Sequence, residues 1–489
     1  MRWYEVQSRE MFGRTTIYTG YDEVTENNIL DILKTSLPVF QHNSADIDYL
    51  WKYMKGRQPI LSRVKEIRPE INNKVVENHA FEIVNFLSGY LMGEPCTYVS
   101  RAKEEDAIKK IDVLNSYMYE QNKASIDKDL SMWFYVCGIG YKMILPSKSL
   151  KLKDGLSPFE IDVLDPRYTF VVYQHGFGSK RMMGVRKITR MDAQGNVEFL
   201  YCGYTKTHYF ECTENKLEKW EAHTLGDIPI YEYKANMAML GSFEPALWIL
   251  DAINNIASNR LDGIEQFIQA FIKFVNCDID SEDFKELKDL GAIKIKSTDG
   301  QKADVEIVSQ ELSQTETQTL VDYLYNQVLT ICGLPTTNRS QGGSSDNGVA
   351  VILRQGWEQC EARARDTELL FKKSEKEFLK LALKLLNTKE NLGLKVSDVD
   401  VKFTRRQHDN LLTKTQGLMQ MLEAGLKPEI AIATCGLFND PVDVAIQSKE
   451  YLDLKWGKNA VQQQGVDKNM YQNQQDKVDK KVEGEGNNE

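Results

Sequence analysis

Asp398 and Asp400 form a pair of carboxylates separated by one residue, in a segment rich in valine. If this segment is a strand, both side chains lie on the same face. Two carboxylates on one face could hold a divalent metal ion and support hydrolysis of DNA. Because no third ligand partners the pair, we interpret it as a solvated strand face and keep a metal-dependent nuclease as an alternative function.

A second acidic cluster, at Asp278, Asp280 and Glu282, resembles the start of a calcium-binding loop. Such a loop needs glycine at its sixth position and glutamate at its twelfth. The sequence has Asp283 and Asp289 at these two positions. We therefore interpret the acids as the first turn of a helix, where negative side chains interact favourably with the helix dipole.

Other motifs of enzymes are missing from the sequence. It contains neither a Gly-x-x-x-x-Gly-Lys-Ser/Thr phosphate loop nor a His-Glu-x-x-His or Gly-x-Ser-x-Gly motif. The eight cysteines stand singly, so no zinc knuckle or redox pair is indicated. The sequence therefore predicts a non-enzymatic protein without a catalytic residue, a metal ion or a cofactor.

The composition is that of a soluble globular protein, with 42% hydrophobic and 27% charged residues. A chain of 489 residues is expected to form two to four folding units. No apolar run approaches the roughly 20 residues that cross a bilayer, so we expect no membrane association. The polar N-terminus lacks a secretory signal, which predicts synthesis and assembly in the host cytoplasm. The net charge of −10 argues against a static DNA-binding protein.

Helical spacing of apolar residues dominates the N-terminal third of the chain. It predicts helices at about 25–35, 44–55, 71–91, 104–121 and 125–136. Between residues 140 and 220 the pattern changes to short runs of β-branched and aromatic residues, interrupted by Gly, Pro and Asp. We expect an antiparallel β unit there.

A long amphipathic helix is predicted over 243–275, because apolar residues recur there every three or four positions. Its polar face is expected to face solvent or a channel and consists of Asp251, Asn255, Asp262, Glu265, Gln266, Gln269 and Lys273. A short helix and two strands, 292–296 and 304–308, should follow, with Asp299-Gly300 as the hairpin turn. Further helices are predicted at 311–332 and 349–387, then a strand near 399–404 and three shorter helices.

Several segments resemble the portal proteins, or head-to-tail connectors, of tailed double-stranded DNA bacteriophages. They include Asp48-Tyr-Leu-Trp-Lys-Tyr-Met-Lys-Gly-Arg, Ser88-Gly-Tyr-Leu-Met-Gly-Glu-Pro, Asp165-Pro-Arg-Tyr and Leu225-Gly-Asp-Ile-Pro-Ile. The resemblance is collinear from about 48 to 450, and the order and spacing of the segments make it specific.

The resemblance implies an α+β, mainly helical subunit that assembles into a ring of about twelve copies. The expected parts are an N-terminal segment at 1–24, a wing at 25–240, a stem helix at 241–275, a clip at 276–309, a second stem helix at 310–335, a tunnel loop at 336–348, a long helix with a crown at 349–455 and a disordered tail at 456–489.

Three groups of functional residues follow from this comparison. The tunnel loop is expected to face DNA through Asn338, Arg339, Ser340, Gln341, Gly342, Gly343, Ser344, Ser345, Asp346 and Asn347. A basic stripe could face DNA or be a solvated helix face, and it comprises Lys372, Lys376, Lys380 and Lys384. The clip should dock partners through Asp283, Lys285, Lys288, Lys296, Asp299 and Gly300.

The resemblance also implies the partners and the location. These partners are other copies of the chain, the terminase packaging ATPase, head-completion or adaptor proteins, capsid and scaffolding proteins, and double-stranded DNA bound without regard to sequence. The protein would lie in the virion, at the portal vertex of the capsid. A minor head or adaptor protein is the alternative structural role.

Overall fold

The computed structural model describes most of the chain in twelve ranges. These are residues 13–66, 68–101, 105–147, 157–191, 197–268, 271–275, 304–308, 314–336, 356–390, 392–405, 411–438 and 441–456.

Four helices and the first two strands lie between residues 17 and 137. The helices are α1 (Ile29–Met54), α2 (His79–Met92), α3 (Glu105–Glu120) and α4 (Lys123–Cys137). The two helices predicted at 25–35 and 44–55 are in fact the single helix α1, which continues through Pro38. The helical spacing of buried residues is kept on both sides of the proline, from Ile32 to Leu50, so packing outweighs the one lost backbone hydrogen bond.

The helix predicted at 71–91 begins later than expected, at His79. The preceding residues do not form a helix, because their backbone N–H groups donate to side chains of a distant helix.

The described residues contain thirteen strands. They are β1 (Ile17–Thr19), β2 (Thr97–Ser100), β3 (Ile139–Pro146), β4 (Phe159–Leu164), β5 (Thr169–Gln174), β6 (Arg181–Met191), β7 (Val197–Tyr204), β8 (His208–Cys212), β9 (Leu217–Ala222), β10 (Ile230–Lys234), β11 (Phe271–Val275), β12 (Asp304–Val308) and β13 (Val399–Lys402).

Most of the strands lie in two sheets. The larger has the order β1-β5-β6-β7-β8-β9, and the smaller has the order β10-β3-β4. All neighbours are antiparallel except β1 and β5, so the predicted antiparallel unit is confirmed and gains one parallel strand from the N-terminus. A separate pair joins β2 to β13, with Ser100 opposite Val399, and ties the two halves of the chain together.

The C-terminal half is mainly helical. Its helices are α5 (Leu247–Ile268), α6 (Gln314–Cys332), α7 (Trp357–Glu390), α8 (Leu411–Glu423), α9 (Pro428–Cys435), α10 (Pro441–Gln447) and α11 (Lys449–Trp456). Among the described residues, no helix is long and apolar enough to span a membrane.

The prediction that α5 runs to residue 275 is wrong, because 271–275 form β11. β11 pairs antiparallel with β12, so Phe271 lies opposite Val308. Phe271-Ile-Lys-Phe-Val275 is aromatic and β-branched, which favours a strand once pairing partners are available. The strand predicted at 304–308 is confirmed, whereas 292–296 and the turn Asp299-Gly300 lie outside the described residues.

The described residues form two buried apolar clusters. In the smaller, the N-terminal half of α1 packs on the six-stranded sheet, with the rings of Phe40 and Phe170 4.5 Å apart. The larger joins α2, α4, the three-stranded sheet, the start of α5 and α7. Phe371 and Phe378 of α7 are buried there, so α7 is fixed to the body of the protein rather than projecting from it.

Candidate functional site

A buried network of charges fixes α7 to the three-stranded sheet. Lys142 on β3 and Glu375 on α7 are both fully buried, and the lysine Nζ lies 2.6 Å from Glu375 Oε2 and 3.0 Å from Asp127 Oδ1. Lys123 also pairs with Asp127 and lies 3.2 Å from Glu375 Oε1. Two ammonium groups therefore balance two carboxylates inside the protein, as buried charges require.

Two tyrosines complete the coordination of Glu375. The hydroxyl of Tyr98 donates to Oε1 at 2.6 Å, and that of Tyr233 donates to Oε2 at 2.5 Å. Burial alone would raise the pKa of the Glu375 carboxyl, but Lys123, Lys142 and these hydrogen bonds hold it well below its usual range. The network is sealed from solvent, so its chemistry is structural: it fixes the position of α7.

The polar side of α5 is buried inside the subunit. Alternate backbone N–H groups of the extended segment before α2 donate to side chains one helical turn apart on α5. The pairs are Glu77 to Asn254 at 2.8 Å, Val75 to Ser258 at 3.0 Å and Asn73 to Asp262 at 2.7 Å. Every second residue of the extended segment thus meets every fourth residue of α5, because these side chains and N–H groups recur on one side of each element.

Two acids of α5 were expected to face solvent or a channel, and this prediction is wrong. Asp262 is buried between Arg63 at 3.1 Å and Lys65 at 3.0 Å. Burial acts to raise the pKa of Asp262, but its hydrogen bonds from Asn73 and Lys65 and the charge of Arg63 lower it overall. Asp251 is also buried and accepts a hydrogen bond from Tyr53 at 2.9 Å. The physical reason is that segments packed against α5 supply partners for both acids. Arg63 and Lys65 neutralise Asp262, and the Tyr53 hydroxyl donates to Asp251.

The apolar side of α5 is only half covered. Leu247, Leu250 and Ile253 in its first turns are buried. Further along, α5 packs against α6, and Arg260 donates to Gln318 across the pair at 2.7 Å. Four large apolar side chains on this helix pair remain 39% to 59% exposed, namely Leu261 and Ile264 on α5 and Leu320 and Tyr323 on α6. The two helices together therefore present an uncovered apolar face.

The four lysines of the basic stripe lie on α7 in different environments. Lys372 pairs with Glu368 and Lys380 with Glu377, each at 2.5 Å. Lys384 donates to the carbonyl oxygen of Leu225 at 2.7 Å. Lys376 is exposed. The structure thus gives three of the four side chains local partners.

Asp398 and Asp400 have separate local roles. Asp398 lies in a short turn before β13 and accepts from the backbone N–H of Lys395 at 3.1 Å. Asp400 on β13 pairs with Lys402 at 3.3 Å. Within the described ranges, no cluster of His, Cys, Asp and Glu has the geometry of a metal site.

The remaining predicted site residues cannot be placed. All ten tunnel-loop positions, 338–347, and all six clip positions, 283, 285, 288, 296, 299 and 300, lie outside the described residues.

Sequence reasoning missed the buried network. One signal pointed to it: Glu375 lies at helical spacing from Phe371 and Phe378, so an acid stands on the apolar face of α7. Lys142 likewise interrupts the apolar strand β3. Their pairing could not be inferred, because it depends on how α7 packs on the sheet.

The sequence model of the family described as "Phage portal protein, SPP1 Gp6-like" matches residues 34–481, which is most of the chain. The chain belongs to the phage portal protein family. The resemblance noted in the sequence is thereby confirmed, and this portal protein has the role of a portal connector and is a virion-associated component. Members of the family are in general structural proteins.

Solved structures similar to this portal protein are necks of particles. "Neck of native GTA particle computed with C12 symmetry" is 14% identical, covers 81% of this chain and 94% of its own, and has a TM-score of 0.46. "Neck of empty GTA particle computed with C6 symmetry" is 13% identical, covers 74% and 90%, and has a TM-score of 0.45. No curated protein shows significant similarity to the sequence.

Proposed function

We propose that this chain forms a closed ring of about twelve copies, through which double-stranded DNA enters the capsid during packaging and leaves it during ejection. Membership of the portal family carries the proposal. The chain itself has no enzymatic part in this function. Its contribution is a channel of fixed shape and charge.

The uncovered apolar face on α5 and α6 supports ring formation. A single copy leaves Leu261, Ile264 and Tyr323 in contact with water, which is unfavourable by about 25 cal/mol for each Å² of apolar surface. In a ring, every copy has one neighbour on each side, so this face can be buried against the next copy without leaving an open end.

The charge of the chain supports passage of DNA rather than tight binding. Each copy carries a net charge of −10, so a ring of twelve would carry about −120. Such a ring repels phosphates overall, and a DNA duplex would adhere weakly. The tunnel loop at 336–348 supplies the closest approach in this proposal, with Arg339 as its one cation. Contacts to the DNA backbone, not to bases, would make passage independent of sequence.

Partners and location complete the proposed function. The clip residues at 276–309 would dock the terminase ATPase during packaging and the head-completion or adaptor proteins afterwards. Terminase would supply the energy, since the sequence carries no phosphate-loop motif. Capsid and scaffolding proteins would contact the subunit while the head assembles in the host cytoplasm.

Electron microscopy of the purified full-length protein tests the ring. Class averages viewed along the symmetry axis should show closed rings with a central hole wide enough for duplex DNA, which is about 20 Å across. Monomers at high protein concentration, or rings without a through-channel, would contradict the proposal. A ring that fails to bind terminase would favour the adaptor role instead.

A further inference from the structure

The pair of helices α5 and α6 exposes large apolar side chains on two different sides. Arg260 of α5 donates to Gln318 of α6 at 2.7 Å, so these residues mark the side on which the helices meet. An α-helix advances by about 100° per residue, which places Leu320 and Tyr323 about 160° and 140° around α6 from Gln318. Leu320 and Tyr323 therefore form the outer side of α6, here named the α6 flank. On α5, Trp248 lies about 120° around the helix from Arg260 and is 57% exposed.

A loop of the same subunit lies beside Trp248 and adds to the exposed apolar surface. Arg63 in this loop donates to the side chain of Asn259, which lies within about 20° of Trp248 around α5. Leu61 is half exposed and Val64 is 73% exposed. Trp248, Leu61 and Val64 are here named the loop flank. It lies at the α5 end of the helix pair, and the α6 flank lies at the other end.

The loop is held in place by hydrogen bonds within the subunit. The Lys74 ammonium donates to the carbonyl oxygen of Leu61 at 2.9 Å, and Arg63 Nη1 donates to that of Asn73 at 3.1 Å. Arg63 and Lys65 both pair with Asp262 of α5. The loop flank is therefore formed before a partner arrives, which reduces the conformational entropy lost on binding.

The two flanks differ in charge. Residues 55–74 include six Lys and Arg residues and two Glu, and a net charge of +3 remains when the paired Asp262 is included. α6 has two acids, Glu316 and Asp322, and no Lys or Arg. Glu316 lies within about 40° of both Leu320 and Tyr323 around the helix. Contact between the two flanks thus brings opposite charges together, whereas contact between two loop flanks would bring like charges together.

We propose that the loop flank of one copy docks on the α6 flank of the next copy around the ring. This inference rests on the proposed function and names the two surfaces through which the copies meet. Two different surfaces at opposite ends of the helix pair make a head-to-tail contact, which is the type that generates rings. Trp248 and Tyr323 are the central side chains of the contact, since tryptophan and tyrosine contribute most often to binding energy at interfaces.

Two variants, each damaged on one flank, test the pairing by sedimentation velocity of the full-length protein. Trp248→Glu and Tyr323→Glu each place an unpartnered charge in the contact, so each alone should sediment as a monomer of 56.1 kDa. Each variant retains the other flank intact. An equimolar mixture should therefore form 1:1 dimers of twice that mass and nothing larger, because only one intact contact can form.

The control is Tyr119→Glu, which alters a largely exposed aromatic residue on α3 and should form rings like the unsubstituted protein. If Trp248→Glu fails to fold by circular dichroism, Val64→Glu takes its place, since it alters the same flank at a more exposed position. Rings of normal size from a folded loop-flank variant would overturn the inference. A mixture that stays monomeric at concentrations where the unsubstituted protein assembles would overturn it as well.

Photo-crosslinking identifies the surface that Trp248 touches. The full-length protein carries benzoylphenylalanine at position 248, and copies labelled with ¹⁵N are mixed with unlabelled copies before illumination. Mass spectrometry should find position 248 joined to residues 314–332 of a copy with the other label. Links to another part of the neighbouring copy, or no link between copies, would overturn the pairing. Rings without a through-channel would contradict the proposed function instead, and the cross-links would still decide which flanks meet.

Discussion

Arg14 and Glu244, which are 230 residues apart in sequence, form an ion pair with no exposed side-chain surface and a distance of 2.8 Å between Nη2 and Oε1. The same carboxylate accepts hydrogen bonds from the backbone N–H groups of Gly13 at 3.0 Å and Gly241 at 2.8 Å. Burial raises the pKa of Glu244 although Arg14 and these N–H groups oppose it. The pair therefore specifies where the N-terminal segment meets the start of α5, and it adds little net stability.

Removing one member of this pair should be strongly destabilising. Glu244→Gln leaves the buried Arg14 guanidinium with Asp46, 3.8 Å away, as its remaining counter-charge, and we expect the free energy of unfolding to fall by about 3 kcal/mol. Urea denaturation followed by circular dichroism measures the change. The control is Glu218→Gln, which removes a surface partner of Arg190 and should cost less than about 1 kcal/mol. Equal effects of the two substitutions would contradict the buried-pair interpretation.

The network around Glu375 should show strong coupling between its members. Lys142→Met and Glu375→Gln each leave buried charges unbalanced, so each should lower the free energy of unfolding by about 3–5 kcal/mol. The double variant keeps the balanced pair of Lys123 and Asp127, so its loss should be smaller than the sum by more than about 1 kcal/mol. Lys376→Met, at an exposed position of the same helix, is the control. Additive losses would show that the two side chains do not interact.

His79 should make the stability depend on pH. Burial acts to lower the pKa of its imidazole, but Glu77 and Glu82 raise it to about 9 from an ordinary value of 6.5. The proton is therefore bound more tightly in the folded protein, so the stabilisation is complete below pH 6.5 and is lost as pH rises through 9. Allowing for partial exposure, we expect a loss of about 1–2 kcal/mol.

Unfolding experiments at pH 6.5 and pH 9.5 measure this loss. His79→Gln should abolish this component of the difference between the two pH values, whereas substitution of the more exposed His42 should retain it. If the unsubstituted protein and His79→Gln lose equal stability, His79 does not carry the pH dependence.

The sequence predicted the helical and antiparallel regions because their periodicity is local. It failed at two places in the helix predicted over 243–275, for non-local reasons. Phe271–Val275 fits both the helical stripe and a strand, and the pairing with β12 decides between them. Asp262 belongs to a polar face that resembles a solvated one. Its burial depends on Arg63 and on an extended segment about 190 residues earlier in the chain.

The buried polar side of α5 should tolerate no loss of charge at Asp262. Asp262→Ala leaves Arg63 and Lys65 without their shared carboxylate and removes the acceptor for the Asn73 N–H, so we expect a loss of about 3 kcal/mol in the free energy of unfolding. Chemical denaturation provides the measurement. Glu265→Ala lies less than one turn away and should change stability by less than about 0.5 kcal/mol. A large effect at both positions would point to a general loss of helix stability instead.

The apolar face of α5 and α6 allows ring formation to be tested separately from the stability of a single copy. Leu261→Glu and Tyr323→Glu place charges on side chains that one copy leaves exposed, so the fold of a single copy should be retained with a change of less than about 1 kcal/mol. In a ring, the same charges would be buried without partners, which costs several kcal/mol at every contact. We therefore expect light scattering and electron microscopy to find folded monomers in place of rings.

Leu369→Glu, at another exposed leucine on α7, is the control and should leave ring formation intact. Rings of normal size from the Leu261 and Tyr323 variants would exclude this face from the contact between copies, because an unpartnered buried charge is incompatible with a stable interface.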